Sequence, residues 1–106
     1  MKQYTSQDQT AKLIELGFEK PTMKNIPTPE GEVNEEWYSI GELLSFLPKS
    51  IKVNDLVFKL CIHSNIASWI VEYADIAFGT QARLYKEELI DALFTEIVIL
   101  KEEGVI

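Results

Sequence analysis

A chain of 106 residues, 46% of them hydrophobic, has the length of one domain and enough apolar surface for a core without metal or disulfide staples. A formal charge of −7 and a sequence pI near 4.6 argue against nucleic acid and anionic lipid as direct partners, because phosphate contacts need Lys and Arg. The single cysteine, Cys61, excludes an internal disulfide, and neither a signal-peptide pattern nor an apolar run near the ~20 residues of a membrane span is present, so a cytoplasmic protein is expected.

The first expected helix opens at Ser6, whose spacing to Gln9 is that of a capping box. Ala11, Leu13 and Ile14 supply a narrow apolar stripe. Gly17 is expected to end the helix in the left-handed conformation, with Phe18 folding back onto Leu13 and Pro21 blocking any continuation. Residues 19–37 read as a long loop rich in proline and glutamate, or as a poor hairpin about Pro29-Glu30-Gly31. A second helix follows: Ser39 and Glu42 form another capping box, and Tyr38 can staple onto Leu43. Ile40, Leu43, Leu44 and Leu47 make its apolar face, and Pro48 ends it at Leu47 or one residue earlier. Residues 49–54 are taken as a lead-in to the first strand.

Residues 56–63 alternate, with Phe58, Leu60 and Ile62 on one side and Lys59, Cys61 and His63 on the other. Residues 68–74 repeat the pattern, with Trp69, Val71 and Tyr73 against Glu72. Such period-two alternation marks a half-buried antiparallel sheet. Ser64-Asn65 is the expected turn between the two strands, and Gly79 marks another. Residues 80–84 are read as a short third strand, in preference to the start of the last helix. Residues 86–103 then form an amphipathic helix whose Leu89, Ile90, Leu93, Ile97 and Leu100 can cover the sheet. The fold class is therefore α+β: a two- or three-stranded antiparallel meander with about three helices on one face, in a single domain spanning 1–106.

Four stretches carry a resemblance: Leu13-Ile14-Glu15-Leu16-Gly17, Tyr38-Ser39-Ile40-Gly41-Glu42-Leu43-Leu44 running to Leu47-Pro48, Trp69-Ile70-Val71-Glu72-Tyr73, and Asp91-Ala92-Leu93. In these the chain resembles a group of small uncharacterised proteins of prophages and other mobile elements of gut bacteria. The resemblance implies an α+β fold and a mobile-element setting, and no activity. It departs from the group at residues 24–37, where two strands are implied and this chain carries proline and glutamate.

Chemistry is sparse. His63 is the only histidine, and no orienting carboxylate or nucleophile stands near it in sequence. Cys61 and His63 alone are too few ligands for zinc. No phosphate-binding loop and no Gly-x-Ser-x-Gly is present. No catalytic, cofactor-binding or metal-binding residue is assigned, and a non-enzyme is expected. The charge excess sits in residues 30–42, with five Glu and no base, and in 86–106, with six acids against two Lys. If the second and last helices cover the same sheet face, these acids are expected to merge into one field. Glu30, Glu32, Glu35 and Glu36, with Trp37 as an apolar anchor beside them, are the candidate partner-binding residues. The expected function is a small acidic protein-interaction or adaptor protein of a phage or mobile element, with a basic host or phage protein as partner. The alternative is an acidic, DNA-mimicking inhibitor of a nucleic-acid-binding protein; a small enzyme ranks last.

Overall fold

The computed structural model describes residues 2–21, 23–75 and 79–106, and the side chains of all of these except Lys24, Val33 and Asn34. The order of elements is α1 (Gln7–Glu15), β1 (Met23–Thr28), β2 (Gly31–Glu36), α2 (Ile40–Phe46), β3 (Ser50–Val53), β4 (Leu56–Ser64), β5 (Trp69–Asp75), β6 (Gly79–Lys86) and α3 (Leu89–Glu102). β3 to β6 form a four-stranded antiparallel meander, and β1 with β2 forms a separate two-stranded hairpin. The α+β class stands, with four strands in the meander in place of two or three.

Local signals set the helix ends. At α1, Ser6 Oγ accepts from Gln9 N at 3.2 Å while Gln9 Oε1 accepts from Ser6 N at 3.0 Å. Ser39 and Glu42 repeat this reciprocal pair at α2. Each box satisfies N–H groups that the first helical turn leaves without partners. Gly17, at φ 94°, ends α1, and the backbone N–H of Phe18 donates to the Leu13 carbonyl at 3.2 Å. The last helix begins at Leu89, three residues later than expected, because Lys86 still belongs to β6 and pairs with Trp69.

The strand missed in sequence is β3, read as a lead-in to β4. Asn54 and Asp55 join the two in a two-residue loop, with φ of 50° and 65°. Positive φ at both positions is the type I′ hairpin geometry. Asp tolerates it less well than Gly, so Asp55→Gly is expected to stabilise the protein by about 1 kcal/mol in chemical denaturation. An unchanged or lowered midpoint would contradict this. The lost Lys52–Asp55 contact, 4.0 Å long and solvent-exposed, contributes little against it.

Residues 80–84 lie within β6, as preferred. A bulge falls between Val71 and Tyr73, where the pairing moves from Leu84 to Gln81 and Ala82 takes φ 53°. Bulges bend an edge strand and blunt its pairing with other chains. The turn expected between Asp75 and Gly79 lies outside the described residues.

One core holds the meander and the three helices together. Leu13 of α1, Leu43 of α2, Phe58, Val71 and Tyr73 of the sheet, and Ile90, Leu93, Ile97 and Leu100 of α3 share it. Of the core expected from sequence, Phe58, Val71, Leu89, Leu93 and Ile97 are buried, while Leu60, Ile62 and Trp69 pack on it half-buried. Two tyrosines at the core edge bring their hydroxyls to backbone oxygens: Tyr38 donates to Glu19 at 2.7 Å, and Tyr73 to Pro48 at 2.8 Å. Burial first, then the nearby Glu96 carboxyl, pushes the Tyr73 phenol up to about 12.

Residues 19–37 differ from the loop reading. The poor hairpin considered beside it is what forms, a two-stranded arm turning at Pro29-Glu30, with Thr28 paired to Gly31. Gly31 sits at φ 125°, a conformation that proline and glutamate content alone does not announce. The arm lengthens the molecule: its extents are 57 × 33 × 17 Å and its radius of gyration is 15.6 Å, against about 13 Å for a compact chain of 100 residues.

Candidate functional site: the acidic arm and its root

Among the described residues β1 and β2 pair as strands only with each other, and no described side chain between residues 23 and 36 is buried. A lone two-stranded hairpin is marginally stable in water, since it has no hydrophobic face to set against the entropy of ordering it. Pro27 in β1 removes a donor, and glutamates occupy β2, so neither edge invites another strand.

The candidate residues distribute along this arm. Glu30 is in the turn, Glu32 pairs with Pro27 midway, and Glu35 and Glu36 end β2. Alternation puts Glu32 and Glu36 on one face of β2 and Glu35 on the other. Glu35, Glu36 and Trp37 nevertheless meet at the root of the arm, where they border a cleft of about 490 Å³ together with Thr5, Ser6 and Gln7. Glu30 and Glu32 do not reach it.

The root is fixed by pairing between residues 4–5 and 38–39. Tyr4 bridges to Ser39, and Thr5 N donates to the Tyr38 carbonyl at 3.0 Å. Tyr38 N donates to Thr5 Oγ1 at 2.9 Å. Thr10 Oγ1 donates to the Ser6 carbonyl at 2.8 Å, leaving the Thr5 hydroxyl to donate to Thr10 Oγ1 at 2.7 Å. The Tyr4 and Trp37 rings lie 3.6 Å apart between centroids, inclined at 44°. Trp37 is half-buried and borders the cleft.

Part of the second acidic segment is engaged within the chain. The N-terminal residues and α1 engage much of it: Lys2 Nζ and Gln9 Nε2 donate to Asp91 Oδ1 at 2.9 and 2.8 Å, and Lys2 N donates to Glu88 Oε2 at 2.8 Å. Lys12 lies 3.9 Å from Glu102. Burial works to raise the Asp91 carboxyl, but the Lys2 and Gln9 hydrogen bonds outweigh it and hold Asp91 below the usual carboxylate range. Glu96 is fully buried. Lys2, ahead of the first helix, and Gln9 and Lys12 within it thus engage Glu88, Asp91 and Glu102 of this segment.

Sequence reasoning also missed a cluster on the sheet face that carries no helix. Glu72 of β5 is 6% exposed, with Oε2 2.6 Å from Arg83 Nε and Oε1 3.3 Å from His63 Nε2. This is the carboxylate absent from the neighbourhood of His63 in sequence; strand pairing supplies it, since β5 lies beside β4 with Cys61 opposite Glu72. The Arg83 guanidinium in turn lies 5.2 Å from the Tyr85 ring centroid. Cys61 is half-buried on this face and its Sγ donates to the Lys59 carbonyl at 3.6 Å, turned to its own strand. The Arg83 guanidinium compensates this buried carboxylate, and the cluster ties together side chains of β4, β5 and β6. Among the described residues no group of three or more His, Cys, Asp or Glu side chains could hold a metal ion. No described helix is long and apolar enough to cross a membrane. No protein-family model, curated protein or solved structure matches the chain.

Proposed function

We propose that this chain is a small protein-interaction or adaptor protein of a phage or mobile element, and that it docks a basic host or phage protein on the β1–β2 arm. The observation that supports this most is the arm itself, a hairpin with no buried described side chain that displays Glu30, Glu32, Glu35 and Glu36 away from the core. A segment so poorly supported by the fold gains order and stability when a partner covers it. The mobile-element setting rests on the four motifs of the sequence resemblance, and the single thiol, Cys61, suits a reducing cytoplasm.

Exposed carboxylates steer association more than they tighten it, because the Debye length is ~8 Å at physiological salt. Partners are to be captured from the native host and identified, and their association rates measured across a salt series. Reversing Glu32, Glu35 and Glu36 to Lys is expected to slow association with a basic partner about tenfold or more at low salt and to flatten its salt dependence. The melting temperature should barely move, since all three side chains are exposed. Equal on-rates for parent and variant at every salt concentration would remove the arm from the binding surface.

A further inference from the structure

We infer that the face of the meander turned away from the helices docks the β1–β2 arm of a second copy of this chain. This goes beyond the proposed docking of a foreign basic protein and shares its arm. The helices pack on the sheet face that carries Phe58, Val71 and Tyr73. Alternation turns Lys52, Val57, Lys59, Arg83 and Tyr85 to the other face, where Lys52 pairs with Val57 and Tyr85 with Ile70. Ile70 is buried there yet lies outside the core cluster, and Val57 and Tyr85 are half exposed. The charge of this face runs against that of the whole chain. It holds three of the ten basic residues, Lys52, Lys59 and Arg83, and one of the seventeen acids, Glu72. Lys52 meets the exposed Asp55 at 4.0 Å, a contact that contributes little. Arg83 uses Nε for Glu72, and its guanidinium fork has further donors to offer.

The arm carries the complement. Residues paired across two strands share a face, so Glu36 stands beside Met23 and Glu32 beside Pro27 on one side of the hairpin. Met23 is 54% exposed. Acids set among apolar groups thus meet bases set beside Val57 and Tyr85. The spans agree as well: Glu32 and Glu36 stand about 13 Å apart along β2, and Lys59 and Arg83 about 12 Å apart across the sheet. Each chain carries −7, which opposes association at long range. The Debye length is ~8 Å at physiological salt, so distant acids are screened while pairs in contact are not. A hairpin without a buried face gains a surface to lie on, and exposed apolar groups on both sides leave water. Docked in both directions, two copies close a two-fold dimer.

The test is sedimentation equilibrium of the whole chain at physiological salt. A reversible monomer–dimer equilibrium is expected in the micromolar range, as suits a small polar interface. Lys52→Glu with Lys59→Glu on the face, and Glu32→Lys with Glu36→Lys on the arm, should each weaken it about tenfold or more. Net charge alone predicts the reverse for the arm variant, which is less acidic than the parent. Mixed in equal amounts, the two variants should associate again, because each then presents the charge that the other's reversal requires. All four positions are exposed, so the fold is expected to survive each change. A parent that stays monomeric, a dimer that survives both reversals, or variants that stay apart when mixed overturns the proposal. Two outcomes separate it from the arm reading. If the parent is monomeric while the arm reversals slow association with a foreign basic protein, the arm reading stands and the dimer falls. If the mixed variants assemble while the same reversals leave that association unchanged, the dimer stands and the arm reading falls.

Discussion

Replacing Glu96 by methionine is expected to stabilise the protein at pH 8 by about 4 kcal/mol, and by much less at pH 5. Glu96 lies on the core side of α3 between Leu93 and Leu100, fully buried, and among the described residues neither carboxyl oxygen has a hydrogen-bond partner. Burial first, and the charge of Glu103 second, push this carboxyl up to about 8 from an ordinary 4.5. The folded chain therefore keeps a proton that the unfolded chain releases above about pH 4.5. Stability is greatest below that pH, falls as pH rises towards 8, and levels off beyond it. Each unit within the window costs about 1.4 kcal/mol. Asp91, whose carboxyl is held low by Lys2 and Gln9, acts in the opposite sense but only in acid, so the two windows do not overlap. Methionine is close to glutamate in volume and has no charge to desolvate. Denaturant titrations of parent and variant from pH 5 to pH 8 should diverge by about 3 kcal/mol in all; parallel curves would mean that Glu96 finds water or a partner when ionised.

Leu93→Ala is expected to cost about 2–5 kcal/mol, the range for a fully buried leucine whose cavity cannot collapse. Leu93 is 0% exposed and belongs to the cluster that joins α3 to Phe58, Val71 and Tyr73 of the sheet and to Leu43 of α2. A domain of this size has about 5–15 kcal/mol of stability in total, so the variant should melt well below the parent. The contrast is Glu32, exposed on the arm, where substitution should leave the melting curve in place. A Leu93→Ala curve that overlays the parent would show that α3 does not seal the sheet.

These two residues also mark how far the sequence could be read. Leu93 was legible because it stands in a stripe with Leu89, Ile90, Ile97 and Leu100 at helical spacing. Glu96 stands on the same stripe, three residues after Leu93 and four before Leu100, and that spacing signalled an acid turned to the core. Acids are so rarely buried unpaired that a glutamate on an apolar stripe still reads as solvated. The missed β3 carried a hint too, since Ser50-Ile51-Lys52-Val53 alternates and runs into Asn54-Asp55, a hairpin pair. Nothing comparable marked the cluster of His63, Glu72 and Arg83, whose members come from three strands.

The sequence by itself determined the elements whose causes are local: the two capping boxes, the glycine stop after α1, the alternation of β4 and β5, and the apolar face of α3. Each depends on residues within a turn or two of one another, so one stretch of chain suffices to read it. Only the tertiary structure decided where charges ended up. Whether an acid is solvated, paired or buried depends on which distant strand or helix is laid against it. Thus Asp91 is engaged by Lys2 and Gln9, Glu72 by His63 and Arg83, and Glu96 is enclosed by the core. On the arm, by contrast, Glu30, Glu32, Glu35 and Glu36 stay exposed, because no described segment packs over them.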